Sequence, residues 1–263
     1  MPGVAVTKMH GAFNDFAVID RRNSAEMPSP ENLARQLCDR RGGVGCDGLL
    51  LIEPSSVADA RMRIFNADGT EAEMCGNGLR CAVRFLSESG AGNSFRIETA
   101  AGILAAEVLS AGETYQVRTQ IGVPRFEPRT LPFSNAAYAE VGNPHVVIFE
   151  KTLDSIDLIQ AATKLQPSFP AGVNVHVAVV TDPHRLDVQH WERGVGLTRA
   201  CGTGAAACAA AAIRFGMAKS PVEVHVPGGV LTIEWSGAGE AFLTGPAVRV
   251  FDANVAALHA APV

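Results

Sequence analysis

Hydrophobic and polar residues alternate along much of this chain in short runs that are typical of β-strands. Residues 60–66 alternate, with Met62 and Ile64 on one face, and residues 49–52 form a continuous apolar run that predicts a strand buried on both faces. Similar runs predict further strands at 95–99, 103–109, 115–121, 221–226, 230–235 and 248–251. Helical spacing of apolar residues predicts a helix over 30–40, which Ser29 or Pro30 begins.

Two polar loops are each expected to lead into an apolar strand. Residues 9–20 indicate a loop that runs into such a strand, with Asn14 and Asp15 in front of it, where polar side chains can face a ligand. Asn143, Pro144 and His145 stand in the same way before the apolar pair at 147–148. The glycine-rich turn at 41–48 lacks the phosphate-binding pattern and does not open a helix.

One stretch of the chain occurs twice, at 65–82 and at 191–208. Without gaps, Cys75 falls on Cys201, and the glycines at 76 and 78 fall on those at 202 and 204. A turn before a strand repeats at an offset of 127 residues, and the polar loop at 129. Because several segments repeat in one order at nearly one offset, we infer duplicated α+β domains. We expect them at 1–121, with a C-terminal strand at about 248–263 crossing back to that domain, and at 122–247.

Each copy of the repeat places a cysteine where a helix is expected to begin, with a helix predicted over 75–87 in the first copy. The first turn of a helix has free N–H groups and a partial positive charge, so we expect lowered thiol pKa values at Cys75 and Cys201. Free amides at these two helix starts suit a carboxylate; they belong to Gly76, Asn77, Gly202 and Thr203. If the two helix starts meet, one thiolate can remove a proton from a carbon alpha to that carboxylate while the other thiol returns one.

Composition narrows the function classes. The chain has 263 residues, of which 47% are hydrophobic and 19% charged, as in a soluble globular protein. Its net charge of −5 gives no indication of nucleic-acid or membrane binding. No secretory signal is visible, so we expect a cytoplasmic protein with reduced thiols. Without a Cys-x-x-Cys motif, no metal site is expected. Four cysteines are expected to be small buried hydrophobes: Cys38, Cys46, Cys81 and Cys208.

The chain resembles the diaminopimelate epimerase family along nearly its full length. The motifs that carry the resemblance are 9–11 with 14–16, 65–69, 74–78, 142–145, 172–174, 192–196 and 200–204. The resemblance implies a fold of two pseudo-symmetric domains, each a curved, mostly antiparallel sheet wrapped on a central helix. It also implies interconversion of LL- and meso-2,6-diaminopimelate in lysine and peptidoglycan-precursor synthesis, without a cofactor such as pyridoxal phosphate. A homodimer is a possible assembly.

The resemblance further implies roles for individual residues. Cys75 and Cys201 are implied to be the acid–base pair, and His145 and Glu192 to support proton transfer. The side chains implied to hold the substrate, together with the four helix-start residues named above, are Asn14, Asn66, Asn143, Asn174, Glu192 and Arg193. Departures from the usual family pattern occur at Phe13, Gly48 and Leu197.

Three other functions stay open on the sequence. One is another two-cysteine amino-acid racemase, for example a histidine racemase, although Asn66, Asn174 and Arg193 suit a substrate with a second amino-acid group. Another is a redox protein that uses the two cysteines as a switch. The last is a thiol hydrolase with His145 as its base, which leaves the second cysteine without a role.

Overall fold

The structure, a computed structural model, describes residues 3–23, 28–112 and 115–256, and it combines helices with a larger share of strands. The α-helices in this part of the chain are α1 (Pro30–Cys38), α2 (Gly76–Leu86), α3 (Leu158–Leu165) and α4 (Gly202–Arg214). A π-type turn follows α2 at Ser87–Ala91, and 3-10 turns lie at Leu153–Ser155 and Gln166–Ser168. The mixed α+β class expected from the sequence is confirmed.

Strands form the larger part of the fold. The strands of the first half are β1 (Val4–Gly11), β2 (Asn14–Asp20), β3 (Gly48–Glu53), β4 (Ala60–Asn66), β5 (Glu71–Ala72), β6 (Ser94–Thr99), β7 (Gly102–Ser110) and β8 (Gln116–Gly122). Those of the second half are β9 (Ala136–Glu140), β10 (Pro144–Phe149), β11 (Asn174–Asp182), β12 (Arg185–Glu192), β13 (Gly196–Thr198), β14 (Val222–Val226), β15 (Gly229–Glu234), β16 (Ala241–Pro246) and β17 (Val248–Val255).

The chain divides into two compact units. Unit 1 runs up to Val117 and also takes the segment from Pro246 onward, and unit 2 runs from Arg118 to Gly245. The strands of unit 1 pair in the order β17–β1–β2–β3–β4–β6–β7, and β5 pairs with β4. In this sheet β2 is parallel to β3 and β4 is parallel to β6, while the other neighbours are antiparallel.

Unit 2 repeats this pattern. Its strands pair in the order β9–β10–β11–β12–β14–β15–β16–β8, and β13 pairs with β12. Again two neighbouring pairs are parallel, β10 with β11 and β12 with β14. The parallel pairs therefore fall at corresponding places in the two sheets, as a duplicated sequence requires.

One helix in each unit packs against several strands of its own sheet. Helix α2 contacts β1, β2, β3, β4 and β7, and α4 contacts β9, β10, β11, β12, β14 and β15. Small residues let α4 lie close to so many strands, because seven of its thirteen residues are alanine and ten of the thirteen are buried. The start of each central helix is thereby fixed by the core of its own unit.

The structure corrects two loops expected from the sequence. Residues 9–11 belong to β1, and Asn14 and Asp15 are the first residues of β2. Between them, Ala12 and Phe13 make a two-residue turn in which both φ angles are positive, 52° and 64°. Such turns usually carry asparagine or glycine, so this one gave no signal in the sequence. The second loop is shorter than expected, since β10 already begins at Pro144 and contains His145.

The ends of two other elements also differ from expectation. Helix α1 stops at Cys38, because the Asp39 carboxylate accepts the backbone N–H groups of Arg41 and Gly42 and turns the chain. Ser29 is its N-cap and Pro30 its first residue. The C-terminal strand β17 pairs with β1, and residues 257–263 of the strand expected at about 248–263 lie outside the described residues. The four cysteines expected to be small hydrophobes are all buried, as predicted.

Candidate active site

Cys75 caps helix α2 and lies beside two asparagines of unit 1. Its thiol donates to Oδ1 of Asn14 over 3.6 Å, and Nδ2 of Asn77 donates to the same oxygen over 3.2 Å. On its other side, Nδ2 of Asn14 donates to the Asp47 carboxylate at 2.9 Å. Because the carboxylate only accepts, it fixes the Asn14 amide with its oxygen toward Cys75. The structure thus brings together Asn14, Cys75, Gly76 and Asn77, four of the residues expected at the site.

An ion-pair network holds the Asn14 amide in this orientation. Asp15 forms ion pairs with Lys8 at 2.6 Å and with Arg40 at 3.2 Å, and Arg40 also pairs with Asp47 at 2.8 Å. Burial raises the pKa of Asp15, but hydrogen bonds and charge from Lys8, with Arg40, outweigh it and leave this pKa lowered. The Asp15 carboxylate therefore remains an acceptor near neutral pH.

Among the described residues, the Asn66 side chain forms a hydrogen bond only within its own loop. Asn66 ends β4 opposite Gly48, and Nδ2 donates to the Thr70 hydroxyl at 2.9 Å. Its backbone N–H bonds to Thr70 and its carbonyl to Gly69, so the loop after β4 is closed tightly. Asn66 is exposed.

Cys201 caps helix α4 in unit 2, at the position that corresponds to Cys75. Its sulfur accepts the backbone N–H of Gly204 at 3.3 Å and lies 3.6 Å from the Thr203 hydroxyl. Burial raises the pKa of this thiol well above its ordinary value, and the negative charge of Glu192 raises it further. The hydrogen bonds from Thr203 and Gly204 lower it by less. The lowered pKa expected from the helix start is therefore wrong for Cys201, because desolvation outweighs the helix dipole.

Two further residues expected to bind substrate, Asn174 and Arg193, are joined in unit 2. Nδ2 of Asn174 donates to the Pro144 carbonyl at 3.1 Å, and Oδ1 of Asn174 accepts the backbone N–H of Arg193 at 3.0 Å. The Arg193 guanidinium donates to the Ala171 carbonyl at 2.6 Å. Asn143 lies just before β10, and its buried Oδ1 has no partner among the described residues. Glu192 ends β12 opposite Gly196 and acts electrostatically on Cys201.

Sequence reasoning missed two histidines that lie in line with His145. Nδ1 of His145 is 2.8 Å from Nε2 of His176, and Nδ1 of His176 is 2.8 Å from Nδ1 of His190. The three rings come from neighbouring strands β10, β11 and β12 and are buried. A signal existed in the spacing: His176 lies two residues after Asn174, and His190 two before Glu192, on the same strand faces.

Comparison with known proteins decides the family. The diaminopimelate epimerase family model matches residues 6–127 and 137–250. A diaminopimelate epimerase from Rhizorhabdus wittichii is 48% identical over 94% of this chain and 93% of its own length. One from Desulforudis audaxviator is 42% identical over 94% of this chain and 97% of its own.

The chain belongs to the diaminopimelate epimerase family.

It is accordingly an isomerase of the epimerase type, and solved structures show the same fold. A hydroxyproline epimerase from Agrobacterium vitis, solved with bound trans-4-hydroxy-L-proline, aligns with a TM-score of 0.74. The match covers 98% of this chain and 95% of that one at 17% identity. A phenazine biosynthesis protein of the PhzF family from Bacillus anthracis aligns with a TM-score of 0.72 at 19% identity, covering 97% and 99%.

The departures from the diaminopimelate epimerase pattern lie at or near the site elements. Phe13 and Leu197 are exposed, by 56% and 59%, and Phe13 stacks on His10. Gly48 begins β3, where a Cβ would lie 2.9 Å from the Phe65 carbonyl oxygen. Across residues 3–23, 28–112 and 115–256, no group of three or more His, Cys, Asp or Glu side chains is arranged to hold a metal ion. In the same ranges, no helix has the length and apolar character needed to span a bilayer.

Proposed function

We propose that this chain interconverts LL- and meso-2,6-diaminopimelate without a cofactor, as a step in the synthesis of lysine and peptidoglycan precursors. Membership of the diaminopimelate epimerase family carries the proposal. The matching cysteines at the starts of α2 and α4 support it, because an inversion with two bases needs two thiols in equivalent settings. The proposal includes a cytoplasmic homodimer.

The proposed reaction uses Cys75 and Cys201 on opposite faces of one alpha carbon. In one direction, the Cys75 thiolate takes the alpha proton and the Cys201 thiol gives its own proton to the other face. Burial and the Glu192 charge raise the pKa of Cys201, which supports Cys201 as the partner that begins as a thiol. In the reverse direction the two sulfurs exchange roles. Each turnover therefore replaces the substrate proton with one from the enzyme.

The removal of an alpha proton places negative charge on the substrate carboxylate. We assign that carboxylate to the amides of the helix starts, at Gly76 and Asn77 of α2 and at Gly202 and Thr203 of α4. The N–H groups in the first turn of a helix have no acceptor within the helix, and the helix dipole favours an anion there. Donors that are already aimed at the developing charge stabilise the transition state more than water does.

Other side chains are proposed to hold the remaining polar groups of diaminopimelate. Arg193 is assigned to the distal carboxylate, and His145 and Glu192 to the support of proton transfer. The asparagines assigned to substrate binding are Asn14, Asn66, Asn143 and Asn174. The bonds of Asn14 to Cys75 and of Asn174 to the Arg193 backbone support this assignment, since each asparagine connects with another proposed site residue.

The decisive experiment incubates the protein with LL-diaminopimelate in deuterated water. We expect meso-diaminopimelate to form, with deuterium at one alpha carbon, as followed by proton NMR. Parallel incubations with free histidine and proline test the racemase alternative. Exchange in a free amino acid, with none in diaminopimelate, would replace our proposal with that alternative. Absence of exchange in all substrates would contradict any epimerase function.

A further inference from the structure

Three buried imidazoles in unit 2 form a chain with a defined order. Both links, from His145 to His176 and from His176 to His190, join ring nitrogens 2.8 Å apart. The outer nitrogens, Nε2 of His145 and Nε2 of His190, are buried and have no partner among the residues that the structure describes. The central ring thus uses both nitrogens, and each end ring uses one.

Burial keeps all three rings neutral, and this restricts which ring nitrogens can carry protons. Burial lowers the pKa of His145 to about 3, with smaller contributions from His190 and Arg193. Burial likewise lowers the pKa of His190 to about 3 and that of His176 well below its ordinary value. A neutral imidazole carries one N–H and one acceptor nitrogen. Each link therefore needs a donor on one ring and an acceptor on the other.

Only two arrangements of protons satisfy both links. In the first, His145 and His176 carry their protons on Nε2 and His190 carries its proton on Nδ1. In the second, His145 and His176 carry them on Nδ1 and His190 on Nε2. Any other arrangement places two protons, or none, in one of the links. The tautomer of His145 is therefore coupled to that of His190, two strands away.

Unit 1 shows that the fold does not need these histidines. By the sequence offsets and by strand pairing, His145, His176 and His190 correspond to Phe16, Leu50 and Ile64. Those three residues are buried in the apolar core of unit 1. In their units, Leu50 and His176 lie next to Gly78 and Gly204, the matching glycines in the first turns of α2 and α4. Apolar side chains thus fill this place in one copy, while the other copy uses three polar rings that burial disfavours.

We propose that His176 and His190 are positioning residues for the reaction, which set the tautomer of His145 and so decide whether its Nε2 donates or accepts. The proposal deepens the epimerase function given above and rests on the assignment of His145 to proton transfer. Neither His176 nor His190 is given contact with the substrate. Both act through the ring of His145. Its Nδ1 is bonded to His176, so Nε2 is the ring nitrogen left for proton transfer.

The test first determines which nitrogens of the three imidazoles carry protons, and then measures the effect of that arrangement on catalysis. Nitrogen-15 NMR of the histidine-labelled wild-type protein should show one of the two allowed arrangements. In the variant His190→Ile, which copies unit 1, the nitrogen shifts of His145 should move although His145 is two links away. In His190→Asn, whose amide can still pair near the position of Nδ1, they should stay close to wild type. Val188→Ala, a buried substitution on the same strand, is the packing control and should leave them unchanged.

Kinetics give the second readout. We expect His190→Ile to lower kcat by about two- to tenfold with little change in KM, the scale of one neutral hydrogen bond. His190→Asn should restore most of the rate. A wild-type arrangement outside the two allowed ones, or His145 shifts unaffected by His190→Ile, would overturn the proposal. These NMR outcomes do not depend on the substrate, so a failure to epimerise diaminopimelate counts against the proposed function alone.

Discussion

Nη2 of Arg80 donates a hydrogen bond to Oδ1 of Asn77 at 2.7 Å, beneath the first turn of α2. The same guanidinium donates to the carbonyls of Gly76 at 3.2 Å and Pro246 at 3.1 Å. Arg80 is fully buried, and burial lowers its pKa to about 10, which leaves it charged at neutral pH. A fixed positive charge therefore lies close to the helix start that carries Cys75, and it interacts electrostatically with that thiol.

Removal of this charge should slow the reaction of Cys75 with an alkylating reagent. The thiolate is the reactive form, and a nearby cation stabilises it. We expect Arg80→Met to lower the alkylation rate of Cys75 by about tenfold at neutral pH, the effect of roughly 1.4 kcal/mol. It should also destabilise the fold by about 1–3 kcal/mol, because buried acceptors lose their donor. Iodoacetamide labelling with peptide mapping measures the rate at each cysteine.

Two variants separate charge from packing in this experiment. Arg80→Lys keeps the cation but loses the planar fork, so Cys75 should react nearly as fast as in wild type. Arg84→Met removes a cation one turn farther along α2 and should have a smaller effect. Equal alkylation rates of Cys75 in Arg80→Met and wild type would show that Arg80 stabilises the helix without affecting the thiol.

Replacement of either proposed acid–base residue should abolish epimerisation. In the proposed reaction each thiol handles a separate proton, so neither Cys75→Ala nor Cys201→Ala has a substitute for the missing step. The matched controls are Cys81→Ala and Cys208→Ala, which change buried cysteines inside the same two helices and should retain activity. Circular dichroism verifies folding. Full turnover by either of the first two variants contradicts the two-base reaction.

Sequence patterns predicted best the elements with a regular hydrophobic pattern or a repeated motif. Strand β4 begins and ends where residues 60–66 place it, and the central helix α2 differs from expectation by one residue at each end. The starts of β2 and β10 were missed for local reasons. The turn before β2 uses Ala12 and Phe13 at positive φ, and β10 begins with a proline, which is rare inside a strand.

The site could be predicted only as far as its motifs are continuous in sequence. The bond between Asn14 and Cys75 joins two motifs that the resemblance already linked. The histidine chain joins residues of three strands, β10, β11 and β12. The spacing places His176 and His190 on the same strand faces as Asn174 and Glu192, but only the strand pairing brings their rings together with that of His145. The raised pKa of Cys201 depends on burial by the tertiary fold, so a helix-start argument alone gave the wrong direction.

The histidine chain should make unit 2 sensitive to acid. The pKa values of His145 and His190 are about 3 in the folded chain, against an ordinary value of 6.5 that applies on unfolding. Between these limits the unfolded state binds protons that the folded state does not. Stability is therefore complete above about pH 6.5 and falls as the pH decreases toward 3, by up to about 1.4 kcal/mol per pH unit for each histidine.

Urea unfolding from pH 7 to pH 4.5 measures this slope. The double variant His176→Leu with His190→Ile copies unit 1 and should lose stability less steeply than wild type as the pH falls. Val188→Ala lowers packing without changing a titratable group, so its slope should match wild type. Equal slopes in the double variant and wild type would mean that the histidines are not kept neutral by the fold.

Arg193→Lys should weaken the binding of diaminopimelate. A guanidinium can grip a carboxylate with two parallel hydrogen bonds, and an ammonium cannot. One of its nitrogens already donates to the Ala171 carbonyl, which holds the group in place. We expect a loss of about 1.5–3 kcal/mol in binding free energy, measured by calorimetry with the Cys75→Ala protein as background. Unchanged binding would remove Arg193 from the site and favour a substrate with one amino-acid group.

The duplicated glycines of the two helix starts allow a matched test of how closely α4 lies on the histidine chain. A Cβ at Gly204 would lie 2.5 Å from Cε1 and 2.8 Å from Nε2 of His176, and 3.1 Å from the sulfur of Cys201. A Cβ at Gly78 would instead meet Leu50 and Ile64, at 3.0 Å and 3.5 Å. Those are the ends of flexible apolar side chains, which can move by a few tenths of an ångström.

Gly204→Ala should therefore destabilise the protein, while Gly78→Ala should be nearly neutral. Alanine is favoured over glycine by at most about 1 kcal/mol in a helix, and this gain is similar for the two variants because both glycines lie in a first turn. Overpacking at Gly204 costs about 1–3 kcal/mol and exceeds it, because the His176 ring is held on both sides by hydrogen bonds. Urea unfolding gives the two free energies, and nitrogen-15 NMR should show the His176 ring displaced only in Gly204→Ala. Equal stability of the two variants would mean that α4 can move away from His176 at little cost. It would contradict the conclusion that α4 packs tightly against a fixed His176 ring.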